Sequence, residues 1–119
     1  MSNSKSEKAH NQSEKLSEMH PRLVTLAKKT GATFGKLHAA HEGHARHTKQ
    51  RKATKVHHAI AAKRARDVMV SASELKRIAQ ALMAMAEKLE HESEITVRVH
   101  NDAAKHCEHL ELVHISSQK

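Results

Sequence analysis

Large apolar side chains (Leu, Ile, Val, Phe, Met) are unevenly spread along this chain: eight lie in residues 1–42, two in 43–66 (Val56 and Ile60) and 16 in 67–119. The densest stretch also has the clearest period. Leu75, Ile78, Leu82, Met85 and Leu89 recur at steps of three, four, three and four, and Val68 and Ser71 extend the series backward. Val68, Leu75, Leu82 and Leu89 are spaced by seven, which makes a heptad stripe on an α-helix. Ala79 and Ala86 widen its face. Ser71 and Glu74 have capping-box spacing, in which hydroxyl and carboxylate each take a free backbone N–H, so a helix is expected to start there. A stripe of this kind needs a partner helix, either elsewhere in the chain or on a second copy.

Other elements follow from local signals. Residues 1–15 are polar and Ser-rich and read as a mobile tail. Pro21 suits the first position of a helix and Gly31 its end, with Leu23, Val24, Leu26 and Ala27 as a short apolar face between them. A loop-like GATFG follows. A second helix is expected from about Lys36 to about Arg66, rich in good helix formers and weakened by Gly43. In residues 94–100, Ile95, Val97 and Val99 alternate with Thr96, Arg98 and His100, which predicts a half-buried strand. Beyond it the pattern fits either a short helix over 101–109 with a strand over 110–115, or one helix over 102–114 with Ala103, Cys107 and Leu110 inward.

The expected architecture is therefore mainly α: long helices, a heptad-type association helix and a small C-terminal β or α/β element. Its segments are a tail (1–15), short helices (16–43), a basic helical segment (44–66), and the association helix with its cap (67–119). One heptad helix and a short alternating segment bury little within one chain, and small domains are marginal. A homodimer is thus expected, held through Val68, Leu75, Ile78, Leu82, Met85 and Leu89. The same heptad face is also the place for a protein partner.

Composition narrows the function. Among the 119 residues, 18 are Ala, only 21 are Leu, Ile, Val or Phe, and Trp and Tyr are absent. The single Cys107 excludes an internal disulfide, and no run approaches the length of a membrane span or reads as a secretory signal. A cytoplasmic or nucleoid-associated place (nuclear in a eukaryote) follows as the expectation. Net charge is +8, and the segments 1–42, 43–70 and 71–119 carry +3, +7 and −2. The middle segment, poorest in large apolar groups, cannot bury itself and has to be solvated or lie on something outside its own fold.

That segment holds Arg46, Lys49, Arg51, Lys52, Lys55, Lys63, Arg64 and Arg66 with no acid between Glu42 and Asp67. Phosphates would relieve the mutual repulsion of these cations and release counterions. Duplex is favoured over single strand because the aromatics that stack on unpaired bases are missing, and DNA is the expected partner in preference to RNA. Residues 26–43, LAKKTGATFGKLHAAHEG, resemble a helix-turn-helix through the spacing of Ala27, Gly31, Leu37 and Ala40. That resemblance implies a recognition helix from Thr33 to about His41, with Lys36, His38, Ala39 and Glu42 near base edges. HAIAAKRAR (58–66), followed by the heptad stripe, resembles a basic leucine zipper at Ala61, Ala62 and Arg66. His58 stands where that family has its base-reading Asn, and the spacing to Leu75 is one residue short. The two resemblances favour one broad class through different residues.

Thirteen histidines bring metal into view. His38, His41, His44 and His47 step by three and spiral over half a turn of helix face, so at most two of them serve one ion. His106 and His109 form a second pair, with Cys107 pointing away. Structural zinc wants four ligands and catalytic zinc three, so zinc or another divalent transition metal stands only as an alternative to having no cofactor. Histidines beside the cations would also add positive charge on mild acidification, predicting tighter nucleic-acid binding near pH 6 than near pH 8. No catalytic set assembles: neighbours such as His106 and Cys107 do not face each other, and no phosphate-cradling Gly-rich loop is present. The expectation is a non-enzymatic nucleic-acid-binding protein of regulatory or accessory role. A helical adaptor without nucleic acid and a His-rich metal binder are the alternatives.

Overall fold

The structure, a computed structural model, describes residues 4–117, with side chains to residue 110. Its regular elements there are all helices: α1 (Ser4–Ser17), α2 (His20–Thr48) and α3 (Lys55–Ser117). The mainly α architecture holds. Two compact units form, Leu23–Ala84 and Met1–Arg22 with Met85–Lys119.

In the unit Leu23–Ala84, α2 turns back antiparallel onto the first half of α3. Its inward residues are Leu23, Leu26, Thr30, Thr33, Leu37, Ala40, His44 and His47, all buried or half-buried. Their steps alternate three and four, the same period as the stripe of α3. Val68, Leu75, Ile78 and Leu82 are the half-buried face of α3 in this unit. Within this unit the stripe, expected as a dimer contact, packs against α2 of its own chain. The complementary seam leaves little apolar periodicity in the sequence because Thr30, Thr33 and Ala40 occupy places that large apolar side chains would mark. Thr33 is 3% exposed, and the Thr30 hydroxyl is satisfied by donating to the Leu26 carbonyl at 2.8 Å.

The other unit sets α1 against the C-terminal part of α3. Residues 1–15, expected as a tail, carry α1 from Ser4, because Ala9, Gln12 and Leu16 give it an inward face. Ala9 and Ala103 are buried, as is Met85, while Leu89 is half-buried. The seam here is interrupted by a charge. Glu92 is 6% exposed, and its carboxylate accepts from Gln12 Nε2 at 2.7 Å and pairs with Lys15 Nζ at 3.3 Å. Gln12 Nε2 also reaches the Glu92 carbonyl at 3.3 Å, which takes the Thr96 hydroxyl at 2.7 Å as well. A polar contact buried in a coiled-coil seam fixes register, because sliding the helices strands it.

Several expected boundaries are displaced. Gly31 does not end a helix and GATFG is not a loop; α2 runs through both, since the seam on either side holds it in register. Ser71 caps nothing; it is a half-buried seam residue inside α3. The expected strand 94–100 is helical, and the small β element is absent among the described residues. Its alternation misled because Ile95 and Val99 are also four apart: both are half-buried on α3, while Val97 is 59% exposed. Tertiary packing overrides the β-branched preference here. Helix also continues over 101–117, as in the single-helix alternative, yet only Ala103 is buried while Cys107 and Leu110 are exposed. The expected helix from Lys36 to Arg66 is broken at residues 49–54.

The Gln12 hydrogen bond and, secondarily, Lys15 hold the Glu92 carboxyl below its ordinary range against the opposing effect of burial. A carboxyl with a lowered folded-state pKa stabilises fully above its unfolded pKa, and the contribution is lost as pH falls through the folded value. Urea unfolding from pH 7 to pH 3 should therefore show an acid-side loss that Glu92→Gln reduces; an unchanged profile would contradict the contact. At Gly35, exposed inside α2 with nothing within 4 Å of an added Cβ, Gly35→Ala should stabilise by about 0.8–1 kcal/mol. A lowered melting temperature would contradict a helix unbroken at that point.

Candidate nucleic-acid interface

The break at 49–54 decides where the cations go. Thr48 turns its hydroxyl back to the His44 carbonyl at 2.9 Å, and the Gln50 N–H bonds to His47 O at 3.1 Å, tightening the last turn of α2. Arg51 takes a left-handed conformation (φ 45°) that reverses the chain. Thr54 then caps α3, its hydroxyl accepting the His57 N–H at 3.1 Å. The basic run is therefore the closed end of a helical hairpin. Arg46 ends α2, Lys49, Arg51 and Lys52 lie in the turn, and Lys55, Lys63, Arg64 and Arg66 follow on α3. All eight are exposed.

Two of them are locally paired, Arg46 with Glu42 and Lys63 with Asp67 at 3.8 Å. Both pairs are solvent-exposed contacts of one helical turn, weak enough for a phosphate to displace. Arg64 occupies a seam position and reaches across to Gly43, where an added Cβ would lie 2.8 Å from its Nη1. The missing side chain at Gly43 makes room for this guanidinium, and Gly43, Arg46, His47, Gln50 and Arg64 line a shallow hollow there.

Lys36 falls on the same side of the hairpin as Arg46 and Lys63. These residues immediately precede seam residues, and in an antiparallel pair such positions on both helices share one side. Lys29 and Arg77 fall there too, both exposed. Sequence reasoning missed them because the seam of α2, which defines the side, was not recognised. His38 is not brought to this side; it lies across the hairpin with Nδ1 3.9 Å from Glu42. With α2 unbroken at Gly31, the turn of a helix-turn-helix is absent. The basic and heptad stretches do share one helix, as in a basic zipper, but α2 covers the stripe.

The histidines form a different group from the one expected. His47 stacks on His57, ring centres 4.2 Å apart and planes 22° from parallel, and donates from Nε2 to the His57 carbonyl at 3.0 Å. His58 packs edge-on to His57 at 5.6 Å. His57 Nδ1 is buried with no hydrogen-bond partner. Among the described residues, no three His, Cys, Asp or Glu side chains converge as metal ligands. That applies to His38, His41, His44 and His47, and equally to His106 and His109. Cys107, expected in or near a core, is exposed with Sγ 3.9 Å from Ser6 Oγ.

No helix of the described residues is long and apolar enough to cross a membrane. Comparison with protein-family models, characterised proteins and solved structures finds no match to this chain.

Burial, first, and then the neighbouring His47, His58 and Lys52 hold His57 below the ordinary histidine range. A base with a lowered folded-state pKa stabilises fully above its unfolded pKa and loses that contribution as pH falls through the folded value. Chemical unfolding should show stability falling below about pH 6.5, and His57→Leu should lessen the fall. Equal acid sensitivity in the two proteins would show that His57 does not carry it.

Proposed function

We propose that this protein binds nucleic acid, duplex DNA in preference to RNA, by presenting the cationic end of the α2–α3 hairpin to backbone phosphates. The observation that carries the reading is the set of eight cations, Arg46 to Arg66, at and beside the closed end of the hairpin, all of them exposed. Packing does not account for it: six of the eight have no acidic neighbour in a described ion pair, and concentrating them costs repulsion that a polyanion relieves. Lys29, Lys36 and Arg77 extend the cationic surface along one side of the hairpin, giving a duplex a track rather than a point. The contacts are to phosphate, and no constellation of side chains points to base readout, so the role is accessory or regulatory without a strong sequence preference. The protein has no enzymatic part in this reading.

Binding to a random duplex should weaken steeply with salt. With the six unpaired cations engaged, the log–log slope is about −5. Replacing Lys52, Lys55, Arg64 and Arg66 by Ala should bring the slope to about −2 while helix content stays unchanged. A slope near zero for the parent protein would leave the adaptor reading, and an unaltered slope in the variant would place the binding surface elsewhere.

A further inference from the structure

Across the hairpin from the cationic side lies a surface that the chain leaves bare. It consists of the positions immediately following the seam residues, which share one side for the same antiparallel reason. On α2 these include Val24, Ala27, Gly31 and Phe34; on α3 they include Ala65, Met69, Ala72, Ala79 and Met83. Every one is exposed, with Phe34 at 59%, Met69 at 61% and Met83 at 65%. From Val24 to Ala45 and from Ala62 to Met83, this side carries Lys76 as its one permanent charge. Lys29, Lys36, Arg46, Lys63 and Arg77 all lie on the other side.

With Lys76 included, the α3 positions repeat at steps of three and four, with Ala nearest the groove and Met or Lys76 farther out. That is a second heptad seam turned away from the first, and Ala in a seam lets helices approach closely.

The area suits a second copy. Each helix presents 22 residues, about 33 Å of length, and two helices side by side span about 20 Å. That is roughly 650 Å² per copy, close to the ~800 Å² per partner of a standard stable interface. The need is present as well, since among the described residues only Ala9, Met85 and Ala103 are buried apolar side chains. Charge sets the direction. Parallel stacking would bring two cationic ends together; antiparallel stacking holds them far beyond the ~10 Å screening length. In that arrangement the two-fold axis crosses the helices at mid-face, so Ala72 meets Ala72 and Phe34 meets Phe34 of the other copy.

We infer that this bare side of the hairpin is the contact between two copies of the chain, stacked antiparallel as a four-helix bundle. The inference does not use the nucleic-acid reading, and its test contains no nucleic acid, so the two stand or fall separately.

Sedimentation equilibrium of the full chain from low to high micromolar concentration should give twice the 13.3 kDa chain mass. Met69→Glu with Met83→Glu should weaken the dimer at least 100-fold. In a Cys107→Ser background, Ala72→Cys should oxidise to an interchain disulfide, whereas Val70→Cys, exposed on the opposite side, should not. The cross-link keeps the apolar face intact, so it answers even where the Glu variant fails to fold. A chain monomeric throughout overturns the inference, including the case in which another protein covers this face. A dimer indifferent to the Glu substitutions, or a cross-link at residue 70 rather than 72, also overturns it.

Discussion

Mutual burial of two heptad seams is the constraint on which the rest depends. The seam of α3 runs through Val68, Leu75, Leu82 and Leu89, and the first half of the chain supplies its complement at the same period. A helix as long as α3 has no reason to stay helical throughout in water unless one face is covered along its length. The cover is sparing: Thr30, Thr33 and Ala40 fill places where large apolar groups would bury more. The helices keep most of their remaining surface in contact with solvent, and on the α2–α3 hairpin that surface differs in chemistry from side to side.

That difference follows from the antiparallel turn. Reversal at Arg51 puts a basic run, otherwise strung along one helix, at the closed end of a hairpin. It also makes the positions before the seam on α2 and on α3 coincide on one side, and those after the seam on the other. Lys29, Lys36, Arg46, Lys63 and Arg77 fall in the first set, together with Asp67, Glu74 and the exposed Val56, Ile60 and Val70; Val24, Phe34, Met69, Met83 and several alanines fall in the second, with Lys76 its one permanent charge. One turn thus converts two linear patterns into a cationic side and an apolar side. Stacking through the apolar side leaves both cationic sides facing outward, so the proposed association and the proposed phosphate surface do not compete for residues.

Much of this was legible in the sequence. The heptad stripe, the mainly helical fold and the cationic run with no acid between Glu42 and Asp67 all came through directly. Much of what was missed shares one cause. The partner seam is built from small and polar residues, so residues 1–15 read as a tail, and Gly31 and Gly35 read as breaks. Without that seam the stripe had no cover in the chain and was given to a dimer. Ile95 and Val99 fit both a strand and a helix, and only the docking of α1 on that stretch decides between them. The turn at 49–54 carried a legible signal, Thr54 three residues before His57, but the helix-forming composition around it drew attention away. The stacking of His47 on His57 depends on that turn and had no signature in the regular spacing of the earlier histidines.

The pairing of the first and last thirds of the chain is the most direct consequence of this arrangement, since Ser13 Oγ lies 2.6 Å from His100 Nε2 although 87 residues separate them. Spin labels on Ser13→Cys and His100→Cys in a Cys107→Ser chain, diluted with unlabelled protein, report that distance within single molecules. Docked helices predict one narrow distribution within two helix diameters, about 20 Å. A broad distribution at long distance, or a short one that disappears on dilution, would contradict a seam closed within the chain.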